Sequence, residues 1–149
     1  MKRTLLLAHG GAPTTVLNAS LFGILASAKE SGKYSRILAY RHGIKPSDFI
    51  DLTDAPSREV EELPFTPGSA IETRRTPLEE GDYGTLAARF HEDEITDILL
   101  TGDNGTMDTT RRLAKACFPL RHSGGWGIPK TIDNDIACRD LGRDFTAFI

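Results

Sequence analysis

The chain reads as an α/β domain, a three-layer α/β/α sandwich built on a mostly parallel sheet. Three observations carry that expectation. The apolar runs Thr4–Ala8 and Ile95–Leu100 are continuous, as strands buried on both faces require. Each leads into a glycine-bearing loop and then into apolar residues at helical spacing. Pro129 stops a third strand just before Lys130-Thr131-Ile132-Asp133-Asn134-Asp135, because proline lacks an N–H and fixes φ. The polar residues therefore gather at the carboxyl ends of strands, where open α/β sheets bind their ligands.

The 149 residues suit one domain with a real core. Hydrophobic and charged contents of 39% and 26% are those of an ordinary soluble protein. A formal charge of -3, without a basic run interleaved with aromatics, argues against nucleic-acid binding. Leu5–Ala8 is too short for a signal peptide, and no apolar stretch reaches membrane-spanning length. Cys117 and Cys138 have no metal-ligand spacing and suit reduced thiols in a cytoplasmic protein. The histidines at 9, 42, 91 and 122 are too scattered for a zinc site.

In order along the chain, Thr4–Ala8 breaks at His9-Gly10-Gly11-Ala12-Pro13-Thr14-Thr15. Leu17, Leu21, Ile24, Leu25 and Ala28 then mark a helix that Gly32 ends. Strand, glycine loop and helix offer backbone N–H groups to an anion, although two adjacent glycines also suit a plain tight turn. Ile37–Tyr40 is the second strand. From Lys45 to Gly68, prolines at 46, 56, 64 and 67 and acidic residues at 59, 61 and 62 predict an irregular, exposed connection. The Thr66–Ala70 turn delivers Arg74-Arg75, a pair suited to phosphate or simply to a solvated surface.

Tyr83, Leu86, Ala87 and Phe90 form the next helical stripe, and His91 belongs to its end. Ile95–Leu100 delivers the loop Thr101-Gly102-Asp103-Asn104-Gly105-Thr106, with a helix from Met107 through Leu113, Ala114 and Cys117. Trp126–Ile128 is the last strand before the lysine-bearing loop. There a cation, a hydroxyl and two carboxylates suit phosphoryl transfer, while Asp-Asn-Asp is also good turn chemistry. Residues 144–149 look like a helix just beginning, so the chain reads as truncated.

Together, the loops at Gly10–Thr14, Gly102–Thr106 and Pro129–Asp135 resemble the amino-terminal half of a phosphofructokinase. Pro-Lys-Thr-Ile-Asp-Asn-Asp is the most specific run and is similar to the pyrophosphate-dependent branch, as are Met107-Asp108-Thr109, Thr66–Ala70 and Asn18–Leu21. The likeness covers essentially the whole chain. It implies that residues 1–149 are one phosphate-donor-binding domain, with the sugar-phosphate half absent. The implied reaction moves a phosphoryl group from pyrophosphate or ATP to the C1 hydroxyl of fructose 6-phosphate, giving fructose 1,6-bisphosphate in glycolysis. It further implies a cytoplasmic homo-oligomer whose partners are these small molecules, with magnesium as cofactor and neither nucleic acid nor membrane involved.

The resemblance makes Asp133 the general base and Thr131 the residue orienting the sugar or phosphoryl group, while Asp135 would support the base or contact the substrate and metal region. Lys130 would sit on the donor. Arg75 would bridge donor and acceptor phosphates. Gly11, Ala12, Gly102, Asp103, Asn104, Gly105 and Thr106 would receive the donor. In a gapless register the family's acidic magnesium position falls on Asn104, with Asp103 just before it, so both are metal candidates. Some pyrophosphate-type relatives carry Asn-Asp where this chain has Asn104-Gly105; Lys130 thus favours pyrophosphate and Gly105 leaves room for ATP. Ala12 stands where a second glycine is expected. The alternatives are a non-catalytic phosphate- or nucleotide-binding module and a related kinase such as an NAD kinase.

Overall fold

The computed structural model describes residues 3–45, 49–117 and 124–132. The chain alternates strands and helices: β1 (Arg3–Gly10), α1 (Thr15–Ser31), β2 (Tyr34–Tyr40), β3 (Phe49–Asp51), α2 (Ser57–Glu62), β4 (Thr73–Arg74), α3 (Glu80–Glu92), β5 (Asp97–Gly102), α4 (Asn104–Cys117) and β6 (Gly124–Pro129). The sheet runs β3-β2-β1-β5-β6, with β4 paired to the end of β1. β3 is antiparallel to β2, and every other pairing is parallel. This is the expected α/β/α sandwich on a mostly parallel sheet.

The continuous apolar runs are buried on both faces because the strand pleat alternates its side chains. Leu5 and Leu7 of β1 pack with Leu21, Leu25 and Ala28 of α1. Leu6 and Ala8 join Leu86, Phe90, Leu113 and Cys117 of α3 and α4 on the other face. Each such leucine contributes about 1.5–3 kcal/mol by leaving water. The alternating glycines of β6 have a packing cause. A Cβ on Gly125 would meet Ala114 of α4, and one on Gly127 would come within 2.6 Å of Met107 Sδ. Helix α4 therefore lies directly on β6.

The elements begin and end for local reasons. Gly32 caps α1 in the left-handed region (φ 60°), where glycine escapes the Cβ penalty. A reciprocal capping box between Glu79 and Asp82 starts α3. Asp97 is fully buried at the amino edge, where Arg3 forks onto it and Thr96 Oγ1 donates to it at 2.7 Å. Without such partners a buried carboxylate would be strongly destabilising.

Three expectations change. The 45–68 connection is not irregular: it holds β3, α2 and a 3-10 turn at Leu63–Phe65. Val60 anchors α2 in the core, and tertiary burial outweighs the prolines. β1 and β5 run on through Gly10 and Thr101-Gly102, because neighbouring strands pair with them there. Helix α4 begins at Asn104, three residues before Met107, since Asp103 Oδ1 accepts from the Thr106 N–H (3.3 Å) and stabilises that first turn. Asp133, Asp135, Cys138, His122 and the 144–149 segment lie outside the described residues.

Candidate active site at the carboxyl edge of the sheet

β1 passes through α1 to β2 on one side, whereas β5 passes through α4 to β6 on the other. The two connections leave in opposite directions, so the ends of β1 and β5 form a topological switch point, the usual ligand crevice of such sheets. Gly10-Gly11 and Gly102-Asp103 meet there. Thr106 Oγ1 occupies the space that a Cβ on either Gly10 or Gly102 would need. The Gly102 Cβ would also lie 2.7 Å from the Gly10 carbonyl oxygen. Gly11 has φ +74°, and the Asp103 carboxylate fills the place of its missing Cβ. These glycines are what lets the two loops close on one another.

The third loop joins them. The Lys130 N–H donates to the Gly102 carbonyl at 2.7 Å, extending the β5–β6 ladder past Pro129. Its ammonium donates to the Ala12 carbonyl, also at 2.7 Å. Lys130 and Thr131 are 3% and 4% exposed, so the cation is held inside the edge and not at the surface. Gly11, Ala12, Gly102, Asp103, Thr106 and Lys130 thus converge as the sequence suggests. Asn104 and Gly105 lie exposed in the first turn of α4.

A cleft of about 130 Å³ opens beside this junction, lined by Gly10, Arg74, Arg75, Asp103, Gly105 and Thr106 among others. Arg74 sits opposite Gly10 in the β1–β4 register, and Arg75 follows it. Neither arginine is paired with a carboxylate among the described residues, a trait shared by Arg36 of β2, whereas Arg3, Arg41, Arg58, Arg89, Arg111 and Arg112 are paired. Two guanidiniums without a carboxylate partner among the described residues, next to the first turn of a helix, suit an anion, although the Asp103 carboxylate lines the same cleft. A larger groove of about 540 Å³ lies beside α1, bordered by Leu5, Gly23, Ile24, Leu99 and Ile128, with Lys33 at one end. Its apolar walls do not suit phosphate, so the smaller, charged cleft is the candidate site.

Histidine spacing carries no hint of what His9 does. This residue is 2% exposed, burial pushes its pKa down to about 4, and its Nδ1 lies 2.8 Å from Ser69 Oγ. Asn18, in α1, is equally buried. Only their long-range partners reveal either one as part of the site's frame.

No cluster of three or more His, Cys, Asp or Glu surrounds a common point among the described residues. A magnesium ion that accompanies a phosphate needs only one or two carboxylates, because phosphate oxygens and water complete its octahedron. Asp103, with its carboxylate against Gly11 in the cradle, fits that requirement. No helix of the described residues is long and apolar enough to cross a membrane.

This geometry coincides with clear relationships to known proteins. The chain is 32% identical over 153 residues to a pyrophosphate–fructose 6-phosphate 1-phosphotransferase of Xanthomonas campestris, covering 95% of this chain and 35% of that protein. It is 30% identical over 146 residues to the enzyme of the same name from Rhodospirillum rubrum, covering 93% and 35%. The fold superimposes on a pyrophosphate-dependent phosphofructokinase of Nitrosospira multiformis with a TM-score of 0.83 at 28% identity, covering 91% and 35%. The chain thus spans about 35% of the length of these relatives. The phosphofructokinase family model matches residues 4–146, and the chain belongs to that family.

Proposed function

We propose that the chain forms the phosphate-donor side of a phosphofructokinase that moves a phosphoryl group from pyrophosphate to the C1 hydroxyl of fructose 6-phosphate. The observation that carries this reading is the cleft itself. Two arginines without carboxylate partners among the described residues border it, together with a glycine loop and the first turn of α4.

In this reading Gly11, Ala12 and Gly102–Thr106 receive the donor, and Arg75 bridges donor and acceptor phosphates. Lys130, held on the Ala12 carbonyl, neutralises charge on the transferring group and on the departing phosphate. Thr131 orients the phosphoryl group. Asp133 accepts the C1 hydroxyl proton as that oxygen bonds to phosphorus, and the phosphorus–oxygen bond to the leaving phosphate breaks. Asp135 supports it; both aspartates lie outside the described residues. Asp103 would hold magnesium, which when bound spreads the phosphate charge.

ATP is the second reading for the donor, and Gly105 is the observation in its favour. Among the described residues a Cβ there meets only Asp103 Oδ1, at 3.5 Å, so none of them crowds that side of the first helical turn. Pyrophosphate remains the better-supported donor because the buried ammonium of Lys130 matches a small, dense anion and the longer motif resembles that branch. Calorimetric titration of the 149-residue chain with pyrophosphate tests the donor side. Binding that weakens tenfold or more in Arg75→Ala is expected, and binding indifferent to Arg75 would sink the reading; the magnitude follows from losing about 1.5–3 kcal/mol of charge-assisted hydrogen bonding. In the complete enzyme, Asp133→Asn is expected to cut turnover about 10²–10⁴-fold with donor affinity unchanged, and near-normal turnover would refute the base.

A further inference from the structure

Arg74 ends β4 and Arg75 follows it, and that strand is too short to hold them by its own pairing. β4 has two residues, both half-buried, and among the described residues pairs only with His9 and Gly10 of β1. The backbone enters it through Glu72 at φ +60°, a left-handed conformation unfavourable for a residue with a side chain. Such a conformation persists only where the surroundings impose it. At Glu72 itself the His42 N–H donates to the Ile71 carbonyl at 3.1 Å, and Arg41 and His42 meet the Glu72 carboxylate. Two buried polar side chains hold the turn that precedes it. Asn18 Nδ2 donates to the Thr66 carbonyl at 2.8 Å, and its Oδ1 accepts from the Ala70 N–H at 2.7 Å. One amide group thereby ties together both arms of the turn. His9 Nδ1 meets Ser69 Oγ at 2.8 Å, between those two attachments. Inside the loop, the Glu72 N–H closes on the Ser69 carbonyl at 3.1 Å.

We infer that Asn18, assisted by His9 through Ser69, is a positioning residue that sets Arg74 and Arg75 in the anion cleft. Asn18 does not line the cleft, and its side-chain hydrogen bonds go to Thr66 and Ala70, so its effect on a ligand passes through the loop. It sits in α1, whose amino end follows the Gly10–Thr14 loop directly. The same helix therefore fixes the glycine loop at one end and the arginine-bearing strand through its side. The two walls of the cleft keep a constant spacing because a single rigid element holds both. The alternative is that burial of Ile71 and the β1–β4 pairing hold the strand unaided.

This inference rests on the reading of the cleft as a phosphate site, and a double-mutant cycle separates the two. Pyrophosphate affinity of the 149-residue chain is measured for wild type, Asn18→Ala, Arg74→Ala/Arg75→Ala, and the combination. Asn18→Ala is expected to weaken binding about tenfold with the arginines present and less than about twofold without them, because a residue acting through others is strongly non-additive with them. Equal loss in both backgrounds, or no loss with the arginines present, overturns the positioning role. If the arginine variant binds like wild type, the phosphate reading fails, and amide hydrogen exchange then decides the positioning role. Exchange at Ala70, Glu72 and Arg74 that quickens in Asn18→Ala while β5 is unchanged upholds it; unaltered exchange overturns it. Ser69→Ala removes only the His9 attachment and serves as the milder variant should Asn18→Ala fail to fold, with the same signs expected.

Discussion

Lys130 Nζ donates to the Ala12 carbonyl at 2.7 Å across 118 positions of sequence, clamping the loop after β6 to the loop after β1. The ammonium closes two loops and carries a positive charge beside the glycine turn, and in the proposed function it also meets the donor. Lys130→Met keeps much of the side chain's bulk and removes the charge. Its expected effect is a ten- to hundredfold loss of pyrophosphate affinity, from about 1.5–3 kcal/mol per charge-assisted hydrogen bond. Calorimetry reads it directly, and affinity within twofold of wild type would remove Lys130 from the donor site.

Gly102 and Gly84 make opposite predictions for the same substitution. A Cβ on Gly102 would press within 2.7 Å of the Gly10 carbonyl oxygen, a backbone atom that can yield only by parting β1 from β5. Gly102→Ala is expected to destabilise by about 1–3 kcal/mol. Gly84 lies exposed inside α3 with none of the described residues within 4 Å of the added Cβ. Gly84→Ala is expected to stabilise by about 0.5–1 kcal/mol, through helix propensity and a less flexible unfolded chain. Urea unfolding of both variants checks the pair, and equal effects would contradict the glycine-cradle geometry.

Under the proposed function donor choice turns on Lys130 and Gly105, and Gly105 is the position that can be tested by adding an obstacle. Gly105→Asp places a carboxylate in the first turn of α4, where the backbone has room for it. Like charges at a binding surface cost several kcal/mol, so ATP affinity should fall about tenfold or more relative to pyrophosphate. Competition between the two ligands measures the ratio. A wild type that clearly prefers ATP, with that preference abolished by the aspartate, would reverse the assignment of the donor.

His9 gives the fold a pH dependence with a definite sign. Burial lowers its pKa from 6.5 to about 4 in the folded chain. Between those values the unfolded chain binds the extra proton, so stability is fully present above about pH 6.5 and declines as pH falls towards 4. The total decline attributable to this group is on the order of 3 kcal/mol, from about 1.4 kcal/mol per unit. His9→Asn should flatten that part of the profile, even if it lowers stability at neutral pH. Unfolding free energies measured across pH 4–7 test it, and parallel profiles for the two proteins would show that another group titrates.

Periodicity and turn chemistry were enough to determine the sandwich and the three loops. Continuous apolar runs such as Leu5–Ala8 predict strands buried on both faces, and Leu17, Leu21, Leu25 and Ala28 predict the face of α1, because these patterns depend only on the geometry of strand and helix. The carboxyl-end location of Gly11, Gly102–Thr106 and Lys130 follows from the same alternation. β3 and α2 were hidden, since Val60 and the pairing of Phe49–Asp51 with β2 depend on neighbours distant in sequence. Tertiary structure alone decided that Lys130 is buried on the Ala12 carbonyl and that Arg74 and Arg75 lack carboxylate partners among the described residues. It alone brought Asn18 to the Thr66–Ala70 turn. An asparagine in a helix and a lysine after a proline have no fixed partners in one dimension. Their roles arise when the parallel sheet brings the carboxyl ends of β1, β5 and β6 side by side and α1 folds back across the turn.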